Sequence, residues 1–447
     1  MLESLPLLTS FRELVAPLRS CFPRQKTFEN FVAIAFGLLM ALGRGRLSDV
    51  LLSGGLVDRK HWSAFYNFFS RSPWSLDDLG LGIARLVLDR LVGPGTVVLA
   101  GDDTLHEKGG QHVFGAGMHH DALSSTRKTA RFQFGHCWVV LSIVVRLPFA
   151  TRPRALPILF RLNVPPKMGV RWKLVHRKKT DQLADLVDLV AAAFPDRHFR
   201  LVVDSAYSNK TVLRRLPPNM DMVGRLPLNA ELHGPLQPRP KGKRGRSRKW
   251  GPRLATPKET AEATDIWCLV TADIYGRQVP IRTRTRRVWW SSAGPDRPLK
   301  AVTVWRPRGQ WPYEAFFSTE TDLSTESILG AYAQRWPIEV AFHETRDSLG
   351  VHRGQPRTTK AVQRTAPTGM LLYTLTVIWY AEHGHDSHQA TWKRRPWYRH
   401  KTCTSFADMV STFRRQTLDG TIAAKAGRGP PSMNTAAALE AWFRESA

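Results

Sequence analysis

Two short apolar runs that each lead into aspartate constrain the fold of this chain more than any other feature. Residues 96–100 lead into Asp102 and Asp103, and residues 201–203 lead into Asp204. Apolar runs of this length, rich in valine and leucine, are typical of buried β-strands. Because open α/β sheets carry polar sites at the carboxyl ends of strands, we expect these aspartates to lie together at one sheet edge. The alternative for any single aspartate is a helix cap or a turn.

A third acid, Glu339, lies at the end of a helical pattern with three other polar side chains, which are Tyr332, Arg335 and Arg346. Spacings of three, four and seven residues place the four on one helical face if the helix continues through Pro337. An acid between two guanidinium groups suits a site in which the acid holds metal and the arginines hold phosphate. The alternative is a surface helix with ordinary ion pairs.

Carboxylates from three separate elements form the oxygen-rich kind of site that Mg²⁺ prefers. Two such ions can stabilise both oxygens of an in-line phosphoryl displacement. The sequence therefore predicts Asp102, Asp204 and Glu339 as ligands of Mg²⁺, with Mn²⁺ as a substitute. Successive strand residues point to opposite faces, so only one of the adjacent aspartates faces the metal. We prefer Asp102, which is nearer the apolar run, and keep Asp103 as the alternative.

The overall charge indicates a polyanionic partner. The chain has 65 Lys and Arg against 37 Asp and Glu, a net charge of +28 and a pI near 10.6. A balance this basic favours binding to the phosphate backbone of nucleic acid. A hydrophobic content of 43% supports packed cores and excludes global disorder. An acidic cluster inside a basic protein predicts an enzyme that cuts or joins nucleic acid.

The cysteines and the apolar runs indicate the compartment. Cys21, Cys137, Cys268 and Cys403 lie far apart, which argues against a zinc ribbon and against a secreted disulfide framework. The longest apolar run, residues 31–42, is shorter than the roughly 20 residues that a membrane-spanning helix needs. We therefore expect a cytosolic protein without a membrane partner.

The order of predicted elements gives an α/β fold: a mixed central sheet with flanking helices, interrupted by a β-rich insertion and preceded by helices. The predicted regions are a helical DNA-binding region over 1–95, the first part of the core over 96–218, the insertion over 219–318, the second part of the core over 319–385, and a basic tail with a helix over 386–447.

Two basic segments are predicted to contact the DNA backbone. In the insertion these residues are Lys241, Lys243, Arg244, Arg246, Arg248 and Lys249, and in the tail they are Lys393, Arg394, Arg395 and Arg399. Their charge density is sufficient for binding along phosphates. The alternative is a solvated segment without a partner.

These motifs together resemble the DDE transposases of bacterial insertion sequences, in the group with a Tyr-Arg-Glu-Lys signature. Tyr332, Arg335 and Glu339 match the signature spacing, and Arg346 stands where the family has lysine. The segments around Asp102 and around Asp204 look like the family's first and second acid motifs.

The resemblance implies an RNase H-like core that binds two divalent ions, cleaves the element's ends and transfers the free 3′-OH into target DNA. It also implies double-stranded DNA as the partner, a homodimer on paired ends and a nucleoid-associated bacterial protein. Tyr332, Arg335 and Arg346 would then contact DNA, and Trp289 or Trp290 would stack on an extruded base during a hairpin step. The alternative for these tryptophans is the sheet core. The alternatives for the function are a metal-dependent nuclease without strand transfer and a catalytically silent DNA-binding relative.

Overall fold

The computed structural model describes residues 5–42, 45–110, 112–121, 124–126, 129–237, 248–264, 266–306, 312–385, 396, 399 and 401–426. The helices among them are α1 (Thr9–Val15), α2 (Gln25–Met40), α3 (Leu47–Ser53), α4 (Ser63–Ser70), α5 (Leu76–Leu91), α6 (Pro166–Arg171), α7 (Lys179–Ala193), α8 (Lys210–Arg214), α9 (Pro257–Glu262), α10 (Thr325–Ala333), α11 (Pro337–Leu349), α12 (Thr359–Trp379) and α13 (Phe406–Ala426). A 3₁₀ turn over Ala16–Cys21 follows α1, and a π turn over Tyr380–Gly384 follows α12.

The strands of the described residues belong to one sheet. They are β1 (Val97–Glu107), β2 (Gly117–His120), β3 (Phe132–Val145), β4 (Arg154–Asn163), β5 (Phe199–Val203), β6 (Met220–Arg225), β7 (Leu232–His233), β8 (Arg253–Leu254), β9 (Cys268–Ile274), β10 (Arg277–Trp290), β11 (Pro298–Trp305) and β12 (Tyr313–Ser318).

The sheet is mixed and continuous from the first strand to the inserted ones. Its order is β2-β3-β1-β5-β6-β12-β11-β10-β7-β8, with β4 beside β3 and β9 beside β10. β1, β5 and β6 run parallel, and β3 is antiparallel to both β1 and β4. The strands between residues 219 and 318 therefore extend the same sheet through the β6–β12 pair. The division of the chain into five regions stays a prediction.

Among the helices before β1, α5 is a capped, amphipathic segment that buries one side on the sheet. The predicted cap Ser75 accepts a hydrogen bond from the backbone N–H of Asp78 at 3.1 Å. The buried residues of α5, among them Leu79, Ile83 and Val87, recur at helical spacing. Arg161 of β4 then pairs with Asp77 at 2.7 Å and ties the start of α5 to the sheet. None of the described helices is long and apolar enough to cross a bilayer.

Helices cover both faces of the sheet around β1. A Cβ placed on Gly101 would lie 2.8 Å from a methyl carbon of Leu183, so this face of β1 packs against α7. The opposite face carries α11 and α12, which contact β4, and Thr374 of α12 donates to the carbonyl of Pro157 at 2.7 Å. Because strand residues alternate, Asp102 and Asp103 belong to different faces.

Two boundaries differ from the sequence expectations. β1 continues to Glu107 because β3 pairs with it as far as the Glu107–Gly135 register. The first acids therefore lie inside the strand and not at its end. Further on, α10 ends at Ala333 and Pro337 opens α11, so the helix does not continue. Proline lacks the N–H that would continue the helical ladder and is favoured in a first helical turn.

Candidate active site

Asp102 and Asp204 lie side by side because two parallel strands carry them. The last residues that β1 and β5 pair are Gly101 and Val203. Each acid is the next residue in its chain, at the point where the hydrogen-bonded ladder stops. The pattern of apolar runs ending in aspartate predicted this arrangement, and the structure brings the two carboxylates close enough to interact electrostatically.

The charge of Asp102 is affected by burial and by its neighbours. Burial raises the pKa of this carboxyl, the charge of Asp204 raises it further, and the guanidinium of Arg335 lowers it, so that the pKa rises to about 7. A group with this pKa is only partly ionised near neutral pH, which is unusual for an aspartate. The position is therefore one where an added positive charge would be strongly favoured.

Arg335 joins the first and third acids. Its guanidinium donates to Asp102 at 2.9 Å and contacts Glu339 at 2.7 Å. The side chains of Arg335 and Asp102 are 14% and 15% exposed, so both charges are largely withdrawn from water. Burial opposes the charged form of Arg335, but the charges of Asp102 and Glu339 outweigh it and raise its pKa. One arginine thus holds two acids from different elements in one cluster.

Glu339 lies in the first turn of α11, and that helix is anchored on its other side. Glu344, one and a half turns later, accepts from Arg154 at 2.8 Å, from the phenol of Tyr373 at 2.9 Å and from the backbone N–H of Phe406 at 3.1 Å. These contacts come from β4, α12 and the start of α13. The position of the third acid therefore depends on chain segments both before and after it.

Asp103 faces the other side of β1 and has different partners. Its carboxylate accepts from Tyr207 at 2.8 Å, from Lys179 at 2.7 Å and from the thiol of Cys137 at 3.2 Å. Burial is the main cause that raises the pKa of the Cys137 thiol, and the charge of Asp103 adds to it. Of the two adjacent aspartates, Asp102 is the one that lies with Asp204, Arg335 and the acid of α11.

Asp204 is held by its own turn. One carboxylate oxygen accepts the backbone N–H groups of Ala206 at 2.9 Å and Tyr207 at 3.2 Å. An aspartate that binds the backbone two and three residues on is an Asx-type turn, so the capping alternative describes part of what Asp204 does. The remaining oxygen makes the carboxylate available to a ligand at the sheet edge.

Tyr332 and Arg346 lie at different distances from the acids. Tyr332, at the end of α10, packs its ring 4.5 Å from Phe316, and burial raises its pKa while Arg335 lowers it. Arg346 lies in the last turn of α11, where its charge acts on His106 and His352. The break at Pro337 explains why the four signature positions do not share one helical face.

The donor set fits a divalent cation at the paired aspartates. Within the described ranges, no three His, Cys, Asp or Glu side chains come close enough together to surround one metal ion. Arg335 lies between Asp102 and Glu339 instead. Mg²⁺ is commonly bound through one or two carboxylates, with water and substrate phosphate as its other ligands. Asp102 and Asp204 supply such a pair of hard oxygen donors.

The two tryptophans of β10 have opposite environments. Trp290 is 5% exposed and packs against Phe317 with ring centroids 5.6 Å apart. Trp289 is half-buried, and the guanidinium of Arg287 lies 5.8 Å from its ring centroid. Because a buried ring offers no face to a base, the base-stacking hypothesis applies to Trp289, whereas Trp290 has the core position given as the alternative.

The basic segments fall mostly outside the described residues. Those outside are Lys241, Lys243, Arg244, Arg246, Lys393, Arg394 and Arg395. Arg248, Lys249 and Arg399 are described and exposed. The DNA contacts expected of both segments stay predictions.

Two residues beside the acids were not singled out from the sequence. Tyr207 and Lys179 both donate to Asp103, from the turn after β5 and from the first residue of α7. The sequence contained a partial signal for Tyr207, which lies three residues after Asp204 in the second acid motif. The sequence contained no such signal for Lys179, since this residue ends a run of basic residues whose other members are exposed.

The sequence comparison identifies the family. Residues 17–290 match the family described as DDE superfamily endonuclease, which is more than half of the chain, so the protein belongs to that family. The match includes Asp102 and Asp204 and ends before Glu339. No curated protein matches the sequence significantly. The family implies phosphodiester cleavage and places the chain among transposases or nucleases, with DNA as the substrate.

Proposed function

We propose that this protein is a cut-and-paste DNA transposase of the Tyr-Arg-Glu-Lys group. The observation that supports the proposal is the Arg335 bridge, which links Glu339 to Asp102 although Glu339 lies outside the matched family region. An RNase H-like core fits the strand order β4-β3-β1-β5-β6, in which β3 alone runs opposite to the other four strands. The net charge of +28 supports a DNA substrate.

Each residue would have a distinct role in this proposal. Asp102, Asp204 and Glu339 would hold two Mg²⁺ ions, or Mn²⁺ in their place, and the ions would polarise phosphate and activate the attacking oxygen. Arg335 already bridges two acids, and the same guanidinium can exchange one carboxylate for a phosphate oxygen when DNA arrives. Tyr332 and Arg346 would position the backbone of the DNA, and Trp289 would stack on an extruded base.

The proposal extends to the assembly and the pathway. Cleavage at both ends of an insertion sequence, followed by attack of the 3′-OH on target DNA, requires two active sites acting together, which a homodimer on paired ends would supply. A metal-dependent nuclease without strand transfer is the second candidate, because the family description names endonuclease activity.

The experiment is cleavage of a DNA that carries the gene's own flanking sequences, with Mg²⁺ or Mn²⁺, by the full chain beside Asp204→Ala. We expect defined 3′-OH ends that are absent from the variant, and joined products when target DNA is added. Cleavage without joined products would indicate the nuclease. Salt-sensitive binding without any cut would indicate a silent DNA-binding relative.

A further inference from the structure

The backbone ladder between β1 and β5 stops just before the acids. Gly101 and Val203 form the last paired positions, and neither Asp102 nor Asp204 is paired across this boundary. From here the turn over residues 204–209 leaves the sheet, while β1 continues beside β3 alone. Main-chain pairing between these two strands therefore ends one residue before the two carboxylates.

Tyr207 spans this gap with two kinds of contact. Its backbone N–H donates to the carboxylate of Asp204 at 3.2 Å, and its phenol donates to the carboxylate of Asp103 at 2.8 Å. The residue is 1% exposed, so the phenol cannot exchange this partner for bulk water without moving. One side chain thus connects the second acid to the residue covalently next to the first.

Asp103, the acceptor of the Tyr207 hydroxyl, is itself held in place by other contacts. Lys179 donates to its second oxygen at 2.7 Å, and the Cys137 thiol lies 3.2 Å from the same oxygen. The contacts come from α7, which lies on the face of the sheet that carries Asp103, and from β3, the strand beside β1. A hydrogen bond to a charged acceptor that is fixed in this way is stronger and more directional than a neutral one.

We propose that Tyr207 and Asp103 form a positioning bridge that sets the distance between Asp102 and Asp204 before a cation binds. The inference rests on the proposed function, because it assigns these two acids to a metal. Two carboxylates that face each other repel, and without a cross-link the turn that carries Asp204 would relax away from β1. Groups that orient metal ligands from behind change metal affinity, typically by about 10–100-fold.

The competing explanation is that the bridge only stabilises the core. Both explanations predict a loss of stability when the phenol is removed, so stability alone does not separate them. They differ in metal affinity. A bridge that positions ligands affects cation binding in a protein that remains folded, and a merely structural hydrogen bond does not.

The decisive experiment is calorimetric titration of the full chain with Mn²⁺ alone, for wild type, Tyr207→Phe and Thr374→Val. Tyr207→Phe removes one buried hydroxyl and keeps the ring. Thr374→Val is the matched control. It also removes one buried hydroxyl, which lies on α12 and donates to the carbonyl of Pro157. We expect Tyr207→Phe to raise the Kd for Mn²⁺ about tenfold. The control should bind Mn²⁺ as wild type does, and DNA affinity in EDTA should be unchanged in both variants.

A second variant reaches the same bond from its other end. Asp103→Asn weakens the acceptor of the Tyr207 hydroxyl. It replaces Tyr207→Phe in the Mn²⁺ titration if Tyr207→Phe does not fold. In urea unfolding without metal, the variant that combines Tyr207→Phe with Asp103→Asn should lose less stability than the sum of the two single losses, because both substitutions act on the same hydrogen bond. In cleavage assays, Tyr207→Phe should approach the wild-type rate at saturating Mn²⁺.

The outcomes are distinguishable. Wild-type Mn²⁺ affinity in a folded Tyr207→Phe would overturn the bridge and leave the proposed function standing. Strictly additive stability losses would overturn it as well, because the two groups would then not interact. A wild type that binds no Mn²⁺ would overturn the proposed function, and the bridge with it.

Discussion

The two faces of β1 use neighbouring aspartates in opposite ways. On one face Asp102 lies with another acid and shares the guanidinium of Arg335, and its pKa rises to about 7. On the other face Asp103 accepts three donors, from Lys179, Tyr207 and Cys137. The first carboxylate lacks sufficient positive charge around it, and the second is fully compensated. The same side chain is thus prepared for a cation at one position and used as a structural acceptor at the next.

The difference teaches that the direction of a side chain from the sheet decides the role of an acid here. Both aspartates follow the same apolar run, and both are close to β5. Alternation along the strand sends one towards α11 and the other towards α7. The proposed catalytic group and its support are therefore adjacent in sequence and separated by the thickness of the sheet.

The largest expected effect is on DNA cleavage, when each of the two adjacent aspartates is replaced separately. Asp102→Asn should reduce DNA cleavage by more than about 100-fold, beyond the range typical of residues that only support a ligand. Asp103→Asn should reduce it less, with recovery at high Mn²⁺, because the ligands themselves remain. Single-turnover cleavage over a range of Mn²⁺ concentrations measures both. Equal and unrecoverable losses would show that Asp103 belongs to the site.

The tryptophans of β10 extend the comparison to a second adjacent pair. Trp290→Ala should lower the free energy of unfolding by about 3–5 kcal/mol, since it removes a buried ring from the core. Trp289→Ala should cost less stability and weaken DNA binding by about 1–3 kcal/mol if its ring stacks on a base. Urea unfolding and binding to a hairpin-forming end would separate the two. If both variants lose stability and neither loses DNA affinity, the base contact proposed for Trp289 is ruled out.

Two buried histidines, His119 on the Asp103 side of the sheet and His136 on the Asp102 side, give the protein a pH dependence. Burial lowers the pKa of His119 to about 4, with the charge of Lys179 adding to it, and burial lowers that of His136 to about 4. These values lie below the ordinary 6.5, so the unfolded chain takes up protons first as the pH falls. The contribution of each histidine to stability should be full above about pH 6.5 and fall towards pH 4, by at most about 1.4 kcal/mol per unit. Urea unfolding of wild type and His119→Gln at several pH values tests this, and an equally steep decline in the variant would contradict it.

The smallest effect is expected on the salt dependence of DNA binding, for changes in the basic segment that lies away from both faces of β1. Arg248→Glu with Lys249→Glu should lower the slope of log K against log salt for DNA binding by at most about 1.8, or about 0.9 per phosphate contact. Lys258→Glu is a control for reversing one basic charge elsewhere on the surface, because Lys258 is exposed on α9 beside Glu262. A salt slope that both changes leave unaltered would mean that this segment is not at the DNA.

Much of the fold followed from local pattern. The runs that predicted strands at residues 97–100, 134–145 and 199–204 correspond to β1, β3 and β5, and Ser75 caps α5 as expected. Long-range pairing was not accessible in this way. No local signal shows that β6 pairs with β12, because this register depends on contacts between residues about 90 positions apart.

The site was predicted as a set of residue types and not as a geometry. Strand alternation was enough to separate Asp102 from Asp103, but not to show which partners Asp103 has. The break at Pro337 could be suspected, whereas the reach of Arg335 across to Asp102 depends on how α10 and α11 pack. Partners such as Lys179 come from distant elements, which a single sequence does not bring together.

The continuity of the sheet has a consequence for distance along DNA. From β5, which leads into Asp204, to β10, which carries Trp289, there are four strand-to-strand steps. At about 4.8 Å per step the two lie about 19 Å apart across the sheet, which is the rise of roughly 5–6 base pairs. Since hydrogen bonds join every step, the separation is set by strand count and not by a hinge. If Trp289 and Asp204 contact one DNA duplex as proposed, the sheet would hold these contacts about half a helical turn apart, and adding or removing one strand would change that spacing by more than one base pair.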